Sequence, residues 1–210
     1  MNKQKQTRRL VLFAFFVAIE LVLMLTPIGY IPIGPIRATT MHLPVLLAGI
    51  LLGPKWGALL GLVFGLTSLA TNTFSPTITS FVFSPFITVG GIHGNFWSLV
   101  IVLVPRILLG LLAGLFYRLL EKLIKKETIA AMISAACNTL LHTILVMGGI
   151  WVFFAQPYAA AKQMTIQEVW VFILGVITSN GVMEMIVAAI IIPILVKALK
   201  PTIERLNLDD

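Results

Sequence analysis

The chain alternates long apolar stretches with short polar or proline-rich breaks, and the breaks define the elements. An apolar run from Arg8 ends at Thr26-Pro27 and predicts a first helix over 8–26. Pro27, Pro32 and Pro35 in the following PIGYIPIGPIRATT segment remove backbone donors, which predicts an ordered loop over 27–40, neither helix nor lipid-exposed strand. A short apolar stretch over 41–52 is stopped by Gly53-Pro54, and a helix over 56–69 follows. Its Gly57, Gly61 and Gly65 recur every fourth position and share one face, which allows a close helix approach for function or simply for bundle packing. Residues 70–97 are richer in Thr, Ser, Asn and Gly and read as a second loop. Its Phe74, Phe81, Phe83, Phe86 and Trp97 weigh against disorder. Helices over 98–126 and 128–154, a polar break through Gln156, Pro157, Lys162 and Gln163, and a helix over 166–199 complete the chain. The expectation is an all-α integral membrane protein, one domain of six transmembrane helices over 1–210. The second helix is shorter than the ~20 residues a span needs.

Composition sharpens the class. Of 210 residues, 59% are hydrophobic and 11% charged, and the mean hydropathy is +1.02, against roughly 25% charged residues in soluble domains. The formal charge of +7 does not point to nucleic acid, because the basic residues gather at the ends of apolar segments, where they act as topology anchors. The N-terminal MNKQKQTRR and its apolar run imitate a signal peptide, but no small-x-small site follows and the run is of spanning length. With the N-terminus cytoplasmic, that side collects Lys3, Lys5, Arg8, Arg9, Lys55, Arg118, Lys122, Lys125, Lys126, Lys197, Lys200 and Arg205. The outer side then has only Arg37 and Lys162. Both termini are therefore expected in the cytoplasm and both long loops outside. Cys137 is the one cysteine, so there is no disulfide framework or thiolate metal site, and it reads as a small buried apolar residue.

Arg106 needs a separate reason, since a guanidinium in hydrocarbon costs about 3 kcal/mol on insertion scales. At ~1.5 Å per residue it lies about 13 Å below the outer end of its helix, and Asn138 and His142 fall in the same outer-half layer. Asn138/His142 and Asn180/Glu184 are i,i+4 pairs, each pointing one way from its helix, and Glu20 reaches a similar depth. These groups either pair among themselves to fix packing or converge on a ligand pocket beneath the outer loops. For an anionic ligand, Arg106 is the expected anchor, with Arg37, His93 and His142 as further partners. Glu20, on the first helix, is expected to turn away from the pocket. No HExxH, GxSxG or Walker motif is present, and His42, His93 and His142 are too scattered for a metal site, so neither an enzyme nor a metal or other cofactor is expected.

The order of basic N-terminus, AFFVA with Ala14 and Ala18, proline-rich loop, HLPVLLAGILLGPKWGALLGLVFGLTS and VPRILLGLLAG resembles the substrate-binding S components of energy-coupling factor vitamin transporters, over nearly the whole chain. The resemblance implies that Ala14 and Ala18 dock a shared transmembrane coupling subunit. It further implies that two ATPase subunits supply the energy, and that the S component topples in a bacterial cell membrane. Within the family the chain is most like the pantothenate-specific branch. Asn2 stands where the nickel and cobalt branches have a metal-binding histidine. Folate, riboflavin or a queuosine precursor stay open as substrates, and a stand-alone ion-driven transporter or a purely structural membrane subunit are the rival classes.

Overall fold

The structure is a computed structural model that describes residues 3–26, 29–33 and 36–205; the side chains of Lys3 and of 30–38 are outside the description. Helix α1 (Lys3–Leu25) leads into an antiparallel hairpin of β1 (Tyr30–Ile33) and β2 (Ile36–Thr39), with Pro32 opposite Arg37. An ordered loop was expected over this segment, neither helix nor lipid-exposed strand. A two-stranded ribbon tolerates its prolines because both strands are edges and a proline can turn its missing donor outward. Helices α2 (His42–Leu52) and α3 (Pro54–Phe74) are separated by Gly53 alone, at φ 101°, a left-handed conformation in which glycine is unstrained.

The segment between α3 and the next helix, α4 (Phe96–Ile124), holds a 3-10 turn (Ser80–Val82) and a short hairpin of β3 (Thr88–Val89) and β4 (Ile92–His93). Helix α4 starts from a capping box made by Asn95 and Ser98. Helix α5 (Glu127–Lys162) continues two turns past the expected stop near residue 154 and through Pro157. Tertiary packing overrides the proline there: beyond it Tyr158 and Ala159 are buried in one cluster with Phe81, Phe154, Val169 and Ile173, and the Tyr158 ring lies 6.0 Å from that of Phe172, so the extension is held against the next helix, α6 (Ile166–Val176). The last helical body comprises α6 and α7 (Val182–Arg205), joined by a π-helical turn at Ile177–Gly181.

Among the described residues, four helical bodies are long and apolar enough to cross a membrane: Pro54–Phe74, Phe96–Ile124, Glu127–Lys162 and Ile166–Arg205. Helix α2 is a shorter apolar helix, and α1 carries Arg8, Arg9 and Glu20 among its apolar residues. The glycine face of α3 closes on α4. A Cβ on Gly57 would strike the Gly110 carbonyl, and one on Gly61 the Arg106 carbonyl. Gly49 of α2 meets the Gly110 carbonyl and Gly114 meets that of Gly49, so three helices touch backbone to backbone. This is bundle packing, and it fixes the height of Arg106 on α4. Cys137, expected inside, is exposed on α5.

Candidate functional site

The polar cluster is built around the dipeptide Pro105-Arg106. Proline has no N–H, so inside α4 the Ile101 carbonyl loses its i+4 backbone donor. Arg106 Nη1 donates to that same carbonyl at 2.6 Å. The proline creates the acceptor and the next residue fills it, so the guanidinium is pinned alongside its own helix. Its Cζ lies 5.5 Å from the ring centroid of Phe64 on α3 and 5.5 Å from that of Phe83 in the segment between α3 and α4. Two aromatic faces replace part of the water the cation has lost. Arg106 is 7% exposed.

His142 on α5 extends the cluster. Its ring sits 6.2 Å from that of Phe64 and within electrostatic reach of Arg106 and His42. One turn earlier, Asn138 donates through Nδ2 to the Ser134 carbonyl at 2.7 Å, while Ser134 Oγ donates to the Ala113 carbonyl at 2.8 Å and ties α5 to α4. Asn138 and His142 also flank a small gap between α4 and α5 with Pro105, Leu109 and Leu141. Several buried polar atoms have no hydrogen-bond partner among the described residues: Asn138 Oδ1, Thr139 Oγ1 and His142 Nε2. Each such orphan costs about 1–3 kcal/mol.

Glu184 takes a different place. Its Oε1 accepts from the Thr39 N–H at 2.8 Å, tying α7 to the end of the β1–β2 hairpin. Asn180, in the π turn one helical turn away, is half-buried, with Ser179 Oγ donating to its Oδ1 at 3.4 Å. A π turn under a hairpin is a common mark of a functional region.

Of the residues expected at the site, Arg106, Asn138 and His142 come together, and Glu184 lies by the hairpin near His42. His93 does not join them: it is exposed in β4, where its Nδ1 pairs with Thr88 Oγ1 at 2.6 Å. The Arg37 side chain lies outside the described residues. Glu20, expected to turn outward, is fully buried, and neither of its oxygens has a hydrogen-bond partner among the described residues. Helix α1 puts Glu20 and Phe16 on its inner face and leaves Ala14, Ala18, Val11 and Phe15 exposed. Sequence reading missed His42, Phe64, Phe83 and Thr39 as members of the cluster. His42 opens the HLP motif, and the Pro-Arg dipeptide was itself a readable sign of the Ile101 contact.

Comparison with known proteins assigns the fold to a lineage. The family model described as ECF transporter, substrate-specific component, matches residues 8–196. The chain belongs to this family. The S component is 35% identical over 201 residues to the pantothenic acid transporter PanT of Lactococcus lactis subsp. cremoris (strain MG1363), covering 94% of this chain and 96% of that protein. It is 27% identical over 209 residues to the pantothenate transporter PanT of Leuconostoc mesenteroides subsp. mesenteroides, covering 95% of this chain and 96% of that protein. The expected resemblance is thereby established, and with it a substrate-specific component of a membrane transporter.

Proposed function

We propose that this S component captures pantothenate at the outer face of the cell membrane, one molecule per chain, and delivers it inward by toppling against a transmembrane coupling subunit driven by two ATPase subunits. Both termini then face the cytoplasm, as the basic residues require. One observation carries the reading: a buried arginine between two aromatic rings, with the His142 ring beside one of them and partnerless buried polar atoms of Asn138, Thr139 and His142 on the facing helix. A packing role alone would be expected to satisfy those atoms. Pantothenate carries one carboxylate, hydroxyls and an amide, which suit an arginine fork, an asparagine and imidazole nitrogens. The names of the two relatives point to the same vitamin.

Charge balance refines the roles. Arg106, Glu184 and Glu20 would sum to −1 if all were ionised, awkward for an anion. Glu184 accordingly serves the hairpin through Thr39, and Arg37 on β2 adds positive charge over the site, with Asn180 at its edge. His93 belongs to the outer rim and is the least involved of the expected residues. Ala14 and Ala18, exposed and small, offer a flat face to the coupling subunit.

Calorimetry of the detergent-purified protein against a vitamin panel tests the reading. Pantothenate is expected to bind below ~100 μM, about −5.5 kcal/mol, and pantothenol, which lacks the carboxylate, to bind poorly. Arg106→Lys is expected to weaken the acid and change the alcohol little, because an ammonium cannot reproduce two parallel hydrogen bonds. Equal losses for acid and alcohol would make Arg106 structural. Binding of folate or riboflavin instead would replace the vitamin, and ion-driven uptake by liposomes holding this chain alone would replace the ATP-driven mechanism.

A further inference from the structure

From Trp56 to Phe74, helix α3 covers about 27 Å at ~1.5 Å per residue, close to the ~30 Å hydrocarbon core of a bilayer. Helix α4 returns from Phe96 to the basic stretch at Lys122, Lys125 and Lys126. With Lys55 and Lys122 in one headgroup layer, the segment over 75–95 falls at the opposite surface of the membrane, where a connecting segment ordinarily meets water.

This segment is not built for water. From Trp56 to Pro105 the sequence holds no Asp, Glu, Lys or Arg, whereas the connection from α5 to α6, at the same end of the bundle, carries Lys162 and Glu168. Its polar side chains are bonded to the segment itself and to its flanking helices. Ser80 Oγ donates to Asn72 Oδ1 at 2.7 Å, Thr73 and Ser84 share a hydrogen bond at 2.7 Å, and Ser98 Oγ donates to the Phe81 carbonyl at 2.7 Å. The 3-10 turn and the β3–β4 hairpin take up backbone N–H and C=O groups as well. What faces outward is apolar: Phe74, Ile78, Phe86 and Phe96 are 84%, 50%, 72% and 69% exposed. Large apolar side chains left exposed together along one connection mark an interaction surface. Trp97, stacked on Phe153 at 3.9 Å at the start of α4, and Trp170, near the start of α6, both keep part of their rings exposed at this end. Indole rings collect at the boundary between hydrocarbon and headgroups.

We propose that the α3–α4 segment is a membrane-interface anchor, with Phe74, Ile78, Phe86 and Phe96 inserted between lipid headgroups and the adjoining acyl carbons. Its surface continues that of the flanking spans, since Leu66 of α3 and Val104 of α4 are exposed within the same uncharged stretch. A segment without formal charge, and with its polar groups bonded internally, enters the headgroup zone without stripping water from an ion. Its irregular backbone keeps it at the interface and out of the hydrocarbon core. The anchor sets the depth of Phe83, the ring beside Arg106, but it needs no ligand and stands apart from the vitamin reading.

Nitroxide labels read that depth. Ile78→Cys and Phe86→Cys are introduced singly into the full chain carrying Cys137→Ser, with Leu66→Cys as the lipid-facing reference and Gln163→Cys, beside Lys162, as the water-facing one. All four positions are exposed, so the substitutions remove little packing. The labelled proteins are placed in liposomes of phosphatidylcholine and phosphatidylglycerol. Collisions with oxygen, which concentrates in hydrocarbon, are compared with collisions with a neutral nickel chelate, which stays in water. At both Ile78 and Phe86 the oxygen-to-nickel ratio is expected several-fold above that at Gln163, approaching that at Leu66. A smaller difference at either position puts the segment in water and overturns the proposal. Slow collisions with both probes at either position mean that protein covers it, a second copy of the chain in these liposomes, and overturn it as well.

Discussion

Replacing Pro105 by alanine separates the two things this residue does. Proline inside a helix costs about 3 kcal/mol relative to alanine. Alanine also restores an N–H that donates to the Ile101 carbonyl, the acceptor now taken by Arg106 Nη1 at 2.6 Å. A hydrogen bond from a charged donor contributes about 1.5–3 kcal/mol, so the loss of that contact offsets most of the gain, and the net change in stability is expected within about 1.5 kcal/mol of zero. Binding behaves differently. A guanidinium released from its carbonyl must be immobilised when the ligand arrives, at about 0.5–1.5 kcal/mol for a long side chain, which predicts a two- to twelvefold weaker pantothenate affinity. Calorimetric binding and thermal unfolding of Pro105→Ala in the same detergent measure both. The reasoning is refuted if affinity stays within the error of wild type while Arg106→Lys still weakens it, because the carbonyl contact then does not position the guanidinium. It is equally refuted if unfolding shifts down by several kcal/mol, since the proline would then be needed for the bundle itself.

Gly110→Val forces a branched side chain into the Gly57 backbone and should cost more than the about 1–3 kcal/mol typical of overpacking, read as a lost or broadened unfolding transition. Glu20→Met removes a fully buried carboxyl whose oxygens have no partner among the described residues, and is expected to raise thermal stability by about 1–3 kcal/mol with vitamin affinity unchanged; a fall in affinity would bring Glu20 into the site. Glu184→Leu cuts the contact to the Thr39 N–H, and hydrogen exchange of the β1–β2 hairpin should quicken while α4 and α5 stay protected. Ala14→Trp or Ala18→Trp is expected to block assembly and uptake but not vitamin binding, and retained uptake in both would make that face ordinary lipid contact.

Much of the fold was legible because a membrane chain writes its spans as runs of apolar residues. The helix starts at His42, Pro54 and Ile166 lie within about two residues of their expected places, since Gly53-Pro54 and the Thr165 cap act locally. The four-residue glycine spacing correctly gave a close helix face, as spacing on a helix fixes azimuth without reference to anything else. The same locality misled at residue 154, where a proline and polar residues gave a stop and burial of Tyr158 and Ala159 against α6 kept the helix going.

The sequence by itself determined the apolar bundle, the depth of Arg106 and the shortness of α2, because each follows from counting residues along a helix. Only the tertiary structure decided which groups meet. The rotation of α1 buries Glu20 and exposes Ala14 and Ala18, and the path of the α3–α4 segment puts Phe83 over Arg106 and leaves His93 exposed. Those outcomes depend on helix azimuths and loop paths set by packing between residues far apart in the chain. A guanidinium, an imidazole and two aromatic rings drawn from α3, α4, α5 and the α3–α4 segment have no common local signature, so their meeting is a property of the packed bundle.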